Sequence, residues 1–334
     1  YNGVSRAGMY EWMNAHLNLG HDDPSRERDF VPLSREELSV WNEDHPAPEG
    51  GPEFERQLVA AIDRDAARAM EQLRPRDKSS LDQFRKIVGG AVETLLNWDA
   101  SEAASSPEFR QLASTPHGEV VEVRGELRTA PGDAVVPIAL WRPSDPNGHV
   151  IVVLHGDGMQ SQQTAAGELR VDFRPLLAEG FSIVLADLFL QGSSARDGHP
   201  PLISRKVPNP RDYAGFTYGY NDTLFAQRVS DIRSIVAYAR ARKSKQEVGG
   251  VHVIGLGGTG PHVAAARALV GGEIDTAAVD TAGFRFAGIA SWRDRDFLPG
   301  IVKYGDLPAL LALNAPHPLW IAGETCAVKK MVEA

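Results

Sequence analysis

The chain has 334 residues, of which 43% are hydrophobic and 24% are charged. This composition is ordinary for a folded globular protein and excludes a disordered, collagen-like or coiled-coil chain. Acidic residues number 44 and basic residues 35, so the net charge is -9. Because an acidic surface repels phosphate backbones, nucleic acid is not expected as a partner. The apolar runs are too short for a membrane span, and the single Cys326 cannot form an internal disulfide.

The first 54 residues are predicted to form a helix and then a linker. Apolar residues recur at helical spacing over residues 5–19, and Gly20 is suited to end that helix. The next stretch, 21–54, contains five prolines, which forbid a long regular element. We therefore predict a helix over 1–20, a proline-rich linker over 21–54 and a main domain over 55–334.

Two helices and a hairpin are predicted next. Apolar residues at a period near 3.6 mark helices around 58–73 and 84–95, with Ser80 and Gln83 as a capping box at the start of the second. The period then changes to 2 over 121–127 and again over 135–141, on either side of a Pro-Gly-Asp turn at 131–133. This pattern indicates an antiparallel hairpin.

Beyond residue 147 the apolar runs become short and continuous, which is typical of parallel strands buried on both faces. Helical patterns separate these runs. The runs cover 150–154, 181–186, 251–254, 276–279 and 319–322. The predicted fold is α/β, with a mostly parallel doubly wound sheet, an N-terminal antiparallel hairpin and flanking helices.

The residues that follow each parallel strand are the candidates for function, because ligands bind beyond the carboxyl ends of such strands. The first strand leads into His155, Gly156, Asp157 and Gly158. A strand followed by His-Gly-x-Gly is where ester hydrolases turn backbone N–H groups towards a developing oxyanion. The alternative is a glycine turn beside an exposed histidine.

A glycine-rich turn follows the third parallel run and precedes a helix. It consists of Gly255, Leu256, Gly257, Gly258, Thr259 and Gly260. As Gly-x-Gly-x-x-Gly it fits dinucleotide binding, with Asp275 about twenty residues further on. As the nucleophile elbow Gly-x-Ser-x-Gly, it has Gly257 where the serine belongs and Thr259 where the last glycine belongs. Thr259 is then a candidate displaced nucleophile, or the glycines only allow the helix and sheet to pack closely.

The last strand end supplies a candidate acid but no base. Glu324 follows 319–322, where hydrolases of this architecture place the carboxylate that orients the catalytic histidine. No histidine occurs after His317, and Cys326 has no histidine pattern near it. Asp187 is predicted to lie in a polar structural turn at the same sheet edge. No metal-ligand pattern is present, so neither a metal nor a cofactor is implied.

In order and spacing these parts resemble the α/β-hydrolase superfamily, specifically its acetyl xylan esterase and dienelactone hydrolase-like branch. The resemblance covers about residues 120–324. Residues 1–17 also resemble the segment that follows the catalytic histidine in such enzymes. This implies that 1–20 is the end of an upstream hydrolase domain and that the present domain is a degenerate second one.

Three functions are therefore compatible with the sequence. The first is a carboxylic ester hydrolase family member whose visible domain is non-catalytic and supports a catalytic partner domain or assembles as a homo-oligomer. The second is a dinucleotide-binding oxidoreductase that uses Gly255 to Gly260, and the third is a non-enzymatic scaffold or binding module. The resemblance implies acylated carbohydrate as the substrate class and a periplasmic or secreted location.

Overall fold

The structure is a computed structural model. It describes residues 2–47, 49–98, 107–128, 135–195, 201, 203, 214–243, 249–326 and 328. The chain divides into two compact units, Tyr1–Ala60 and Ala61–Ala334. The predicted boundaries at residues 20 and 54 stay predictions.

The first unit contains two helices and the start of a third. Helix α1 covers Gly3–His16, α2 covers Arg35–Leu38 and α3 covers Pro52–Gln72, and none of the three has a buried residue. Arg6 pairs with Glu27, so α1 is attached to the segment that follows it. Large apolar side chains such as those of Phe30 and Trp41 stay 81% and 55% exposed. The unit has no apolar core of its own among the described residues.

The second unit continues α3 and adds α4 (Lys78–Phe84) and α5 (Gly90–Leu95), joined by a wide π-helical turn at Arg85–Gly89. The predicted start of this helix was wrong by about one turn. Asp77 is the N-cap and Ser80 is the third helical residue, and the two exchange the paired side-chain and backbone bonds of a capping box. Both carboxylate and hydroxyl side chains serve as caps, and here the Asp77 carboxylate accepts from the backbone N–H of Ser80 at 2.8 Å.

One eight-stranded sheet forms the centre of the second unit. In space the strands follow the order β1-β2-β3-β5-β4-β6-β7-β8. The first three pairs of neighbours are antiparallel and the remaining four are parallel. The strands are β1 (Glu108–His117), β2 (Val120–Arg128), β3 (Val135–Pro143), β4 (Val150–His155), β5 (Ser182–Ala186), β6 (Val251–Leu256), β7 (Thr276–Asp280) and β8 (Leu319–Ala322).

The predicted fold class and the predicted hairpin are confirmed. Strands β2 and β3 pair from Val120 with Pro143 to Arg128 with Val135, while the turn predicted at 131–133 lies outside the described residues. Strand β1 was not predicted. It is an exposed edge strand with a register shift between Gln111 and Ala113, so its sequence lacks a clear alternation.

The sheet has a packed layer on each face, which explains the continuous apolar runs. In β4, Val152 and Leu154 join the larger core, whereas Ile151 and Val153 join the smaller one. The larger core is closed by α8 (Leu224–Lys243), α9 (Gly260–Val270) and α10 (Asp306–Leu313). The smaller core is covered by α6 (Arg174–Ala178), and α7 (Gly215–Tyr218) precedes α8.

None of the helices in the described ranges combines the length and apolar character that crossing a membrane requires.

We expect Leu154→Ala to lower the free energy of unfolding by about 2–5 kcal/mol, because the lost side chain leaves a cavity at a fully buried position. Urea denaturation measures the change. Leu112→Ala is the matched control, since Leu112 is 55% exposed on β1 and should cost under about 1 kcal/mol. Equal losses in the two variants would contradict the core described here.

Candidate functional site

The turns after β4 and β6 lie side by side at the carboxyl edge of the sheet. Strands β4 and β6 are neighbours, and their last paired residues are His155 and Leu256. The candidate oxyanion loop therefore begins directly beside the glycine-rich turn. The sequence predicted both turns at this edge, and the pairing brings them into contact.

The glycine-rich turn adopts left-handed backbone at two successive residues. Gly257 has φ +57° and Gly258 has φ +95°, and both are exposed. Helix α9 starts three residues after Gly257. A sharp left-handed turn between a strand and a helix is the geometry that a nucleophile elbow requires. The backbone at Gly257 thus resembles an elbow, although the residue there has no side chain.

The imidazole of His155 occupies the space where a side chain at position 257 would stand. A Cβ built on Gly257 would lie 2.6 Å from Cε1 and 2.9 Å from Cδ2 of His155, with Nε2 closer still. Real Cβ atoms do not approach other heavy atoms this closely. The same construction on Gly258 meets nothing within 4 Å. In its present orientation the His155 ring fills the space at position 257, so a side chain there would require the ring to move, whereas one at position 258 would not.

Hydrogen bonding determines which ring nitrogen of His155 carries the proton. The backbone N–H of Asp157 donates to Nδ1 at 3.1 Å, so Nδ1 must present its lone pair. In the neutral ring the proton is then on Nε2, the atom nearest to Gly257. With this tautomer, the Nε2–H group of His155 faces Gly257.

The backbone N–H groups of the candidate oxyanion loop are already used inside the protein. Gly156, Asp157, Gly158 and Met159 all donate, at distances between 2.8 and 3.2 Å. Their acceptors are, in order, the carbonyl of Leu256, Nδ1 of His155, the carbonyl of His155 and Oδ1 of Asp187. An oxyanion hole needs donors that are free to meet a substrate oxygen. This loop has none in the conformation described.

Asp187 is hydrogen-bonded to the same loop. It is 2% exposed, accepts the Met159 N–H bond, and its carboxylate lies where a Cβ on Gly158 or Gly192 would stand. Both glycines have positive φ values, +79° and +47°. The structure supports the structural role predicted for Asp187.

Thr259, the candidate displaced nucleophile, is 1% exposed. Its Oγ1 lies 2.9 Å from the carbonyl oxygens of both Leu154 and Leu256. The hydroxyl thus lies between the ends of two strands and can donate its proton to either carbonyl, which links the turn to the sheet. Its position does not offer the oxygen to a substrate.

Glu324 lies after β8 as predicted, and its side chain has no exposed surface. Arg285 forms a two-point ion pair with it, with N–O distances of 2.8 and 2.6 Å, and Thr281 donates a further hydrogen bond. Burial by itself raises the pKa of this carboxyl, but the hydrogen bonds from Arg285, Thr281 and the backbone of Thr325, together with the positive charge of Arg285, leave the pKa below its usual value. The carboxylate is ionised and balanced by arginine, not by histidine.

Comparison with known proteins identifies the type of fold. The sequence matches no protein-family model and no curated protein. Among solved structures, a Bacteroides fragilis protein provisionally assigned as an acetyl xylan esterase aligns over 88% of this chain and 79% of its own, at 14% identity and a TM-score of 0.53. The chain has the α/β-hydrolase fold.

Two further α/β-hydrolase structures align less closely. A glucuronoyl esterase from Solibacter usitatus covers 74% of this chain and 75% of its own, at 13% identity and a TM-score of 0.45. A promiscuous esterase from a marine bacterial metagenome covers 73% and 79%, at 11% identity and a TM-score of 0.47.

The acidic residue of the dinucleotide fingerprint lies at the wrong end of this α/β-hydrolase sheet. Asp275 precedes β7, so it stands at the amino edge, whereas the glycine turn follows β6 at the carboxyl edge. Its carboxylate accepts from the N–H of Val251 and from Arg240, both at 2.7 Å. Asp275 is therefore not placed to bind a ribose beside Gly255 to Gly260.

A buried charged cluster beside the turn was missed by the sequence analysis. Arg228 and His262 are 3% and 2% exposed, and Nε2 of His262 lies 3.5 Å from Oδ1 of Asp296. Burial lowers the pKa of Arg228 to about 10 and that of His262 well below its ordinary value, whereas it raises the pKa of Asp296. These residues come from three distant segments, and only the fold brings them together.

Asp231 on α8 belongs to the same region. It accepts a hydrogen bond of 2.6 Å from the backbone N–H of Phe189, in the turn after β5. Burial raises its pKa to about 7, and this effect outweighs that hydrogen bond and the positive charge of Arg228. Asp231 therefore binds its proton more strongly in the folded state than in the unfolded state.

No group of three or more His, Cys, Asp or Glu side chains in the described part of the chain is arranged to hold a metal ion. Cys326 is free and exposed. No described histidine is bonded to Glu324.

We expect Gly257→Ser to lower the free energy of unfolding by about 1–3 kcal/mol more than Gly258→Ser, because only the former collides with His155. Both glycines have positive φ, so both variants include backbone strain and the difference isolates the collision. In a His155→Ala background the difference should disappear, which a double-mutant cycle by urea denaturation measures. An equal cost for the two serines in the presence of His155 would contradict the closed position.

The raised pKa of Asp231 predicts a pH-dependent contribution to stability. The protonated carboxyl favours the folded state below about pH 4, and this contribution is lost as the pH rises through about 7. Asp231→Asn removes this contribution and keeps an acceptor for the Phe189 N–H. The difference in unfolding free energy between wild type and variant should therefore change steadily between pH 4 and 8. A difference that stays constant over this range would refute the assignment.

Proposed function

We propose that this chain is a carboxylic ester hydrolase family member whose visible α/β-hydrolase domain is non-catalytic and supports a catalytic partner domain. The observation that carries the proposal is the imidazole of His155 against Gly257. A serine mechanism needs an oxygen at the elbow, and glycine has none. Here the space for that side chain is also filled.

Two further features support loss of the hydrolytic machinery. The N–H groups of residues 156–159 are consumed by internal acceptors, so this loop has no donor ready for an oxyanion. Glu324 is paired with Arg285 and Thr281, and neither can act as a proton shuttle in the way that histidine does. The residue at position 257, the N–H groups of this loop and the partners of Glu324 thus all differ from what a serine hydrolase mechanism uses.

The supporting role is favoured by the first unit. The side chains of Trp12, Phe30 and Trp41 are between 55% and 81% exposed, and burial of such side chains is a main source of association energy. We propose that they contact a catalytic hydrolase domain encoded upstream in the same, longer chain. Acylated carbohydrate is the proposed substrate class of that partner, because the Bacteroides fragilis protein is provisionally assigned as an acetyl xylan esterase. The whole protein is proposed to be periplasmic or secreted.

A fluorophosphonate probe with intact mass measurement tests the proposal. We expect the natively purified protein to be heavier than these 334 residues, with one adduct that peptide mapping places outside them. A known serine esterase in the same experiment serves as the positive control. An adduct on a serine or threonine of the present chain would refute the non-catalytic assignment. An unmodified protein of only this length would refute the upstream catalytic domain.

A further inference from the structure

A cavity of about 680 Å³ lies at the end of the sheet opposite the glycine turn. It opens beside the start of β2 and the end of β3, where Val120 pairs with Pro143, and α6 forms another wall. The parallel strands run from this end towards His155 and Gly257. The cavity is therefore separate from the candidate site, and its volume is in the range of small-molecule sites.

The aromatic wall of the cavity is held in place by a buried carboxylate. The rings of His117 and Trp141 lie 4.9 Å apart between centroids, and both residues line the cavity. Glu122, which is 5% exposed, lies opposite Trp141 on the neighbouring strand. It accepts from Nε of Arg124 at 2.7 Å and lies 3.4 Å from Nε2 of His117. The wall is thus preorganised before any ligand arrives.

The buried wall also contains a donor without an acceptor. Trp141 is only 2% exposed, and its Nε1 is inaccessible to solvent. This N–H group has no hydrogen-bond partner in the described part of the chain. A buried N–H group is almost always paired in native proteins, often by a water or a ligand atom. Because Nε1 is inaccessible, this donor belongs to the rigid wall of the cavity and does not meet a ligand there.

The rim of the cavity is acidic. Glu119 and Asp145 line it and are exposed, and neither forms an ion pair with any described residue. The N–H of Ser144 donates to the carbonyl of Glu119 at 2.8 Å, so the two rim segments are fastened to each other. The third acid, Glu168, is already neutralised by Arg174 at 3.0 Å. The unbalanced charge of the rim is therefore negative.

The floor between these charges is apolar, with Leu169 and Leu177 among its residues. An acidic rim over an apolar floor suits a ligand with a positive group on an apolar body. We propose that this cavity is a binding site for a small organic ammonium ion, in which Glu119 and Asp145 attract the cation and the floor covers its hydrocarbon part. The inference is independent of the proposed function, because it uses no residue of the glycine turn.

Isothermal calorimetry with 2-phenylethylammonium as the probe tests the site. We expect saturable binding that weakens with added salt, since the rim carboxylates are exposed. 2-Phenylethanol, which has the same body without the charge, should bind at least about tenfold more weakly. The anion 3-phenylpropionate should not bind. The double variant Glu119→Gln/Asp145→Asn should lose about tenfold in affinity.

A matched control separates local contact from the general negative field of the protein. Asp222→Asn/Glu273→Gln removes the same charge from two exposed positions outside the cavity, and it should leave the affinity unchanged. Circular dichroism and melting temperature confirm that both double variants are folded. No saturable binding at millimolar probe would overturn the proposal, as would equal binding of 2-phenylethanol. An equal loss in the two double variants would also overturn it, because long-range charge alone would then explain the binding.

Discussion

The close approach of the His155 ring to Gly257 is the constraint on which the account of the site depends. Neighbouring strands β4 and β6 place the two residues at the same edge of the sheet, and only a residue without Cβ leaves room for the ring. A second glycine, Gly156, is equally required, since a Cβ there would meet the carbonyl oxygen of Gly257. The two turns pack against each other, and the space that hydrolases give to a reacting serine is filled by imidazole.

The remaining polar groups at this edge follow the same logic. Each is hydrogen-bonded within the protein. The loop N–H groups donate to the carbonyls of Leu256 and His155, to Nδ1 of His155 and to Asp187, Thr259 bonds to a strand end, and Glu324 pairs with Arg285. Such bonds stabilise the strand-to-helix turns, and they leave little that is free to act on a substrate. This arrangement supports the proposal that the domain is non-catalytic.

Much of the fold was predictable because its signals are local. Continuous apolar runs predicted all five parallel strands within two residues, and alternation predicted the hairpin of β2 and β3. Strand β1 was not predicted, because its exposed edge position requires no alternation of apolar residues. At the site, glycine at position 257 was evident from the spacing. The ring of His155 above it was not, because contact between residues a hundred positions apart depends on strand order.

The most direct test is an NMR measurement on His155 in the wild-type chain. We expect a nuclear Overhauser contact between the ring proton on Cε1 and the α protons of Gly257, with nitrogen shifts that place the proton of the neutral ring on Nε2. A ring that shows no contact with Gly257, or that carries its proton on Nδ1, would contradict the closed nucleophile position.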